Sequence, residues 1–86
     1  MVKASDVSTL LEDYRNWLKK LGFKESTIYE YTYRIRRLVQ LIGKEEITDD
    51  DVNELTSRMK YKTKHVYRNA YNRFKEFLKE LEKGKV

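Results

Sequence analysis

The sequence predicts an all-α, compact four-helix domain, and three observations lead to this prediction. Apolar residues recur every three or four positions along most of the chain, and no alternating apolar–polar run is long enough for a strand. The chain has no proline, and its three glycines (Gly22, Gly43 and Gly84) each follow a stretch with helical periodicity. Glycine in that place typically ends a helix, because it enters the left-handed conformation without strain. A length of 86 residues fits one domain, so residues 1–86 are expected to form a single helical unit.

The first predicted helix covers residues 6–21 and the second covers residues 26–42. Each has one apolar stripe, which indicates one buried face. The first stripe consists of Val7, Leu10, Leu11, Tyr14, Trp17, Leu18 and Leu21. The second consists of Ile28, Tyr31, Ile35, Leu38, Val39 and Ile42. Ser26 belongs to a residue type favoured at the N-cap, so it is predicted to begin the second helix.

The third predicted helix is short and covers residues 48–59. Thr48 suits the N-cap, and three aspartates follow it in the first turn, where the helix dipole favours carboxylates. Its inward residues are Val52, Leu55 and Met59. The fourth helix is predicted to begin near Lys62 or Thr63 and to end near residue 83, with an apolar face of Tyr67, Ala70, Phe74, Phe77, Leu78 and Leu81. The connections are short, so consecutive helices are expected to pack as neighbours.

Charge is distributed unevenly along the chain, whose formal net charge is +5. Residues 24–44 and 59–79 are basic, and the segment 45–58 between them is acidic. The absence of cysteine excludes disulfides and thiolate metal sites. No apolar run reaches the roughly 18 residues of a membrane span, and the first seven residues do not form the apolar core of a signal peptide. An intracellular, cytoplasmic location without a membrane partner is therefore expected.

Two helix faces carry the basic residues. On a helical wheel, one flank of the fourth helix consists of Lys64, Arg68, Lys75 and Lys79, with Asn72 beside them. Such a one-sign stripe suits a row of phosphates. The outward face of the second helix consists of Tyr29, Tyr33, Arg36, Arg37 and Gln40, groups that can reach phosphates and base edges. Each face is equally compatible with a solvated surface or a partner-protein surface.

The starts of the same two helices form a second candidate feature. Lys24, Ser26 and Thr27 lie at one start, and Lys62 and Thr63 lie at the other. A helix N-terminus presents free amide groups and the positive end of the dipole, which favours a phosphate. Simple capping by the hydroxyl groups is the alternative, and the two roles can coexist.

The order of these motifs resembles the core-binding domain of the tyrosine recombinases, or phage integrases, over residues 8–81. The first motif is residues 11–18, which end in Trp17-Leu18, and the second is residues 26–31 (Ser-Thr-Ile-Tyr-Glu-Tyr). The third spans residues 47–55, and the last combines Thr63 with the aromatic pair of residues 74–78. Each motif is short and weak alone, and their order and spacing carry the resemblance.

The resemblance implies a SAM-like helical domain that closes one side of a clamp on duplex DNA at a recombination site, with its second and fourth helices facing adjacent major grooves. The DNA contacts that it implies are Lys24, Ser26, Thr27 and Arg34 in the second helix and Lys62, Lys64, His65, Arg68 and Asn72 in the fourth. Two further DNA-contact candidates are Thr63, at the start of the fourth helix, and Lys75, on its basic flank. Glu30 lies on the same face as Thr27 and Arg34 and would repel phosphate unless it pairs with Arg34 four residues on.

No catalytic residue, metal or cofactor is expected within these residues. The family's catalysis belongs to a separate C-terminal domain, so the expected partners are duplex DNA and, in an intact recombinase, that domain or other integrase protomers. His65 and Arg68 have the spacing of the family's catalytic His-x-x-Arg, but they lie within the DNA-binding resemblance and are interpreted as coincidence. The alternative function is a helical protein–protein interaction module whose basic face docks an acidic partner.

Overall fold

Four helices make up most of the chain in the structure, a computed structural model that describes residues 2–84. The helices are α1 (Ala4–Lys20), α2 (Glu25–Ile42), α3 (Asp49–Ser57) and α4 (Tyr61–Glu82). The all-α, four-helix prediction is confirmed, and each helix boundary lies within two residues of its predicted position. Met1, Lys85 and Val86, which the predicted domain also covers, lie outside the described residues.

The sequence predicted no strand, and this prediction was wrong, because the structure contains one short antiparallel pair of strands. β1 (Val2–Lys3) pairs with β2 (Glu46–Ile47), and Val2 lies opposite Ile47. Segments of two residues are too short to show an alternating pattern, so periodicity could not reveal them. The pairing places Glu45 at the start of α1, where its side chain accepts hydrogen bonds from the Ser5 amide (3.2 Å) and hydroxyl (2.6 Å).

The helix ends agree with the glycine prediction but only partly with the cap prediction. Gly22, Gly43 and Gly84 all have positive φ, and Gly43 (φ +68°) is the C-cap of α2. Thr48 caps α3 as predicted: its hydroxyl accepts from the Asp51 amide (3.2 Å), and the Asp51 carboxylate accepts from the Thr48 amide (3.1 Å).

The predicted cap of α2 was wrong. Lys24, and not Ser26, is its N-cap, and no side chain caps the helix there. The helix begins one residue earlier because Glu25 joins its first turn, where the positive end of the dipole favours a carboxylate. α4 also begins one or two residues earlier than predicted, at Tyr61 with Lys60 as its N-cap, so Thr63 does not cap it.

The core forms where the four apolar stripes meet. Tyr14, Leu18 and Phe77 are fully buried, and the rings of Tyr14 and Phe74 meet edge to face with centroids 5.0 Å apart. The Tyr14 hydroxyl donates to the Ala70 carbonyl (3.2 Å), so the buried phenol is satisfied, and burial raises its pKa. Leu21 was expected in this stripe but is 52% exposed, because α1 ends at Lys20 and Leu21 lies beyond the last turn.

Two threonines take part in this core although the stripes did not include them. Thr32 and Thr56 are almost fully buried, and each hydroxyl donates to a carbonyl one turn back, Ile28 (3.0 Å) and Val52 (2.8 Å). This bond satisfies the hydroxyl within its own helix, so it can be buried. α2 packs most extensively against α4 and α1, and α3 lies against α2 and α4. Within residues 2–84, the helices all lack an apolar stretch long enough to cross a membrane.

Candidate nucleic-acid interface

The starts of α2 and α4 lie at the surface with most of their predicted contact residues accessible. Lys24 and Ser26 at the start of α2 are exposed, and Thr27 is half-buried. At the start of α4, Lys62 and Thr63 are exposed. Farther along α4, Lys64 is half-buried, and His65 and Asn72 are exposed. The structure therefore leaves these eight predicted residues available to a ligand.

The N-termini of the four helices differ in how they are capped. α1 receives the Glu45 side chain, and α3 has the reciprocal bonds of Thr48 and Asp51. Neither α2 nor α4 has a side-chain cap from its N-cap residue, Lys24 or Lys60. The first amides of these two helices are thus left to solvent or to an external acceptor.

The charge at the start of α4 is unusual for a helix. Its first turn contains no acidic residue, and lysines stand at positions 60, 62 and 64. A cation at the positive end of the helix dipole is disfavoured by about 0.3–1 kcal/mol. α2 differs, because Glu25 lies in its first turn and pairs with Lys19 at 3.5 Å. The start of α4 therefore carries a cluster of positive charge at a place where the helix dipole favours negative charge.

Arg34 is half-buried, and neighbouring side chains of α2 and α4 engage its guanidinium. Its guanidinium donates to the Glu30 carboxylate at 3.0 Å, so the pairing that removes the repulsion by Glu30 is present. It also lies over the rings of Tyr33 (5.4 Å to the centroid) and Tyr67 (5.1 Å), and its Nε atom is buried. Arg34 thus joins α2 to α4 by cation–π contact, and the neighbouring Glu30 is neutralised.

The predicted basic flank of α4 is partly occupied by α3. Arg68 donates from Nε to the Thr56 hydroxyl (3.3 Å) and from its terminal nitrogen to the side-chain amide oxygen of Asn53 (3.2 Å). Lys75 pairs with Asp49 at 3.1 Å and lies over the Tyr71 ring. Two of the five flank residues therefore hold α3 in place, and a continuous row of free cations does not exist along this flank.

A buried tyrosine anchors that contact, and sequence reasoning missed it. The Tyr71 hydroxyl donates to the Asp49 carboxylate at 2.6 Å, and with Lys75 this bond lowers the pKa of Asp49. Burial, followed by the same carboxylate, raises the pKa of Tyr71. Tyr71 follows Tyr67 by four residues, so the apolar stripe of α4 contained the signal for its burial. Its bond to Asp49, 22 residues away, could be found only in the structure, where α3 packs on α4.

The outward face of α2 is exposed as the sequence predicts. Tyr29 is 71% exposed and Tyr33 is 43% exposed, and their rings lie nearly parallel at 13° with centroids 6.4 Å apart. Arg36 and Arg37 are also exposed, and Arg37 donates to the Gln40 side chain at 3.3 Å. Aromatic rings and guanidinium groups therefore share one open surface.

The His-x-x-Arg spacing does not assemble a common site. The exposed His65 ring packs edge to face against Tyr61, with centroids 4.4 Å apart, whereas Arg68 turns towards α3. Within residues 2–84, no three histidine or carboxylate side chains cluster in a way that could hold a metal ion.

The fold and this surface define a class: an all-α, four-helix domain whose second and fourth helices present basic and aromatic side chains to solvent. No protein-family model matches the chain, and the searches of curated proteins and of solved structures gave no significant match.

Proposed function

We propose that this chain is a duplex DNA-binding domain of the core-binding type found in tyrosine recombinases. The starts of α2 and α4 hold phosphates, base readout is limited, and the domain carries out no chemistry of its own. In an intact recombinase it would position the DNA for a separate catalytic domain. The support is the order of the sequence motifs, the four-helix fold and the surface of α2 and α4.

The start of α4 is the observation that carries the proposal. Its first amides have no side-chain cap, its first turn has no acid, and Lys60, Lys62 and Lys64 surround it. Free amides, the positive dipole end and ammonium groups all favour the same ligand, an anion such as a DNA phosphate. A carboxylate or hydroxyl cap such as that of α3 would stabilise the start of α4 more than lysine does.

Three of the predicted contact residues already bond to other side chains of the protein, and this narrows the set of residues proposed to contact DNA. Because Arg34, Arg68 and Lys75 bond to other parts of the protein, their loss would weaken the fold as well as any DNA contact. The open residues are the sharper contact candidates, and they are Lys24, Ser26, Thr27, Lys62, Thr63, Lys64, His65 and Asn72.

Contacts within the molecule weaken the case for one form of the alternative function, head-to-tail association of two copies. Head-to-tail association would need the acidic α3 segment of one molecule to bind the basic α4 of another. Asp49 is already bonded to Tyr71 and Lys75, and Asp51 is bonded to Lys44 at 2.8 Å. The acidic segment is thus largely satisfied within its own molecule. A basic face that docks a different acidic protein stays an outcome of the experiment.

A duplex titration with a double variant tests the proposal. A fluorescent duplex of about 30 base pairs is titrated at several salt concentrations with the wild type and with Lys62→Ala/Lys64→Ala. We expect a steep salt dependence for the wild type. The variant should bind more weakly, and its slope of log K against log salt should fall by about 1.8, or 0.9 for each lost phosphate contact.

The matched control is Lys20→Ala/Lys83→Ala, which removes the same charge from the C-terminal ends of α1 and α4. It should keep the wild-type affinity and slope. Equal losses in both variants would mean non-specific attraction to net charge. Failure of the wild type to bind duplexes even at low salt would overturn the proposal and direct attention to an acidic protein partner.

A further inference from the structure

The outward face of α2 has a composition that duplex binding at the helix starts does not explain. Tyr29 and Tyr33 are 71% and 43% exposed, whereas Tyr14, Tyr67 and Tyr71 are buried. Tyr61 is also exposed, but it lies at the start of α4, where its ring packs against His65. Exposed aromatic rings keep apolar area in contact with water, which is unfavourable unless a partner covers them. Their four-residue spacing places both rings on one face, one turn apart.

The geometry of the two rings suits stacking with flat partners. The ring planes differ by 13° and the centroids are 6.4 Å apart, so the phenols lie side by side in similar orientations. The second ring is fixed further by Arg34, which lies 5.4 Å from its centroid and is itself held by Glu30. The pair is therefore a partly preorganised aromatic surface and not two independently moving side chains.

Charge identifies the partner as anionic. Arg36 and Arg37 lie one to two turns after the tyrosines and are exposed, and Arg37 bonds only to the neutral Gln40 among the described residues. The two acids nearest this face are already paired, Glu25 with Lys19 and Glu30 with Arg34. The face thus presents two rings followed by two guanidinium groups without an unpaired carboxylate beside them.

We propose that this face, consisting of Tyr29, Tyr33, Arg36 and Arg37, binds an unpaired DNA strand by stacking bases on the two phenols and holding phosphates with the two guanidiniums. Proteins that bind single strands combine aromatic stacking with a basic track, and stacking tolerates any base sequence. In an intact duplex the faces of the bases are covered by their neighbours, so the rings select strands that are open. The inference rests on the proposed function in taking DNA as the partner, but it uses a different surface from the helix starts.

Fluorescence anisotropy with a labelled oligothymidylate of about 15 nucleotides tests this inference. The wild type should bind it, and Tyr29→Ala/Tyr33→Ala should lower that affinity by about 30-fold or more, the lower end for two stacked bases. Tyr29→Phe/Tyr33→Phe keeps the rings and should keep the affinity. Arg36→Ala/Arg37→Ala should lower the salt slope by about 1.4, or 0.7 for each single-strand phosphate contact.

Two controls separate the inference from the proposed function. Leu41→Ala removes another exposed apolar side chain from α2 and should leave oligothymidylate binding unchanged. The duplex affinity of Tyr29→Ala/Tyr33→Ala should equal that of the wild type. Since both rings are exposed, these variants are expected to fold, and circular dichroism checks this.

The outcomes are distinguishable. Binding of the duplex without binding of the oligothymidylate overturns the inference and leaves the proposed function standing. Binding of the oligothymidylate alone overturns the proposed function and supports the inference. Oligothymidylate binding that survives the loss of both rings overturns stacking, and absence of binding to either DNA overturns both.

Discussion

At the residue scale, the charged side chains of this domain divide into those that hold the fold together and those that face solvent. Lys75 and Arg68 both belong to the basic flank of α4, yet each bonds to α3. Lys62 and Lys64 carry the same charge six and four residues before Arg68, but no ion pair engages them within residues 2–84. Among these cations of α4, position relative to α3, and not residue type, decides the role.

Tyr71→Phe tests the structural role of the Asp49 contact. The substitution removes the hydroxyl that donates to Asp49 at 2.6 Å and leaves the ring in place. We expect the free energy of unfolding to fall by ~1–2 kcal/mol. This is the lower end of the range for hydrogen bonds to charged groups, because Asp49 is largely exposed to solvent. Urea denaturation measures it. Tyr61→Phe, at a 74% exposed position, is the control and should be neutral.

The same contact predicts a direction of pH dependence. The Tyr71 hydroxyl and Lys75 lower the pKa of Asp49 below its ordinary value of 3.8 in the folded protein. A carboxyl with a lowered folded-state pKa contributes its full stability above the unfolded value and loses it as the pH falls through the folded value. The difference in unfolding free energy between wild type and Tyr71→Phe should therefore be constant above about pH 5 and shrink below pH 4. A constant difference down to pH 2 would contradict the assignment.

At the element scale, the four helices differ in how completely their own sequences specify them. α3 carries its cap, its acidic first turn and its inward residues within nine residues, so its start could be predicted. The starts of α2 and α4 were predicted to within two residues, but their N-caps were not, because lysine offers no cap motif. The Glu45 cap of α1 was likewise invisible, since it acts across 40 residues through the β1–β2 pairing. Local signals predicted the elements, and contacts distant in sequence had to come from the structure.

The same distinction applies to the candidate site. Exposure of Tyr29 and Tyr33 followed from the wheel, because neither lies on the apolar stripe of α2. The roles of Arg34 and Arg68 did not follow from the wheel, because their partners lie on other helices. Arg34 of α2 contacts Tyr67 of α4. Arg68 of α4 bonds to Thr56 and Asn53 of α3. A wheel places a residue on a face but does not say what packs against that face.

The start of α4 predicts a conflict between stability and binding. Lys62→Glu replaces a cation by an anion in the first turn, where no acid stands at present. The helix dipole should then stabilise the fold by about 0.3–1 kcal/mol or more, since an unfavourable charge is also removed. Duplex affinity should fall at the same time. Urea denaturation and anisotropy on one protein sample measure both, and a variant that is destabilised would contradict the role assigned to the dipole.

At the scale of the whole molecule, the acidic segment compensates part of the basic charge of α4. The acidic stretch around α3 lies against the middle of α4, where Asp49 meets Lys75. The excess of positive charge lies in residues 24–44 and 59–79, which include α2 and most of α4. A directional charge distribution of this kind steers a polyanion towards one face of the molecule.

Thermal unfolding with and without duplex DNA tests that view of the whole molecule. A ligand that binds only the folded state stabilises it by about 2.7 kcal/mol when present at 100 times its Kd, which for a domain of this size raises Tm on the order of 10–20 °C. We expect this rise for the wild type at low salt, measured by circular dichroism below the melting temperature of the duplex. It should be much smaller for Lys62→Ala/Lys64→Ala, whose DNA is held by fewer phosphate contacts. High salt should abolish it in both proteins, because phosphate contacts derive their free energy from counterion release. A rise that is equal in the two proteins would place the bound duplex away from the start of α4.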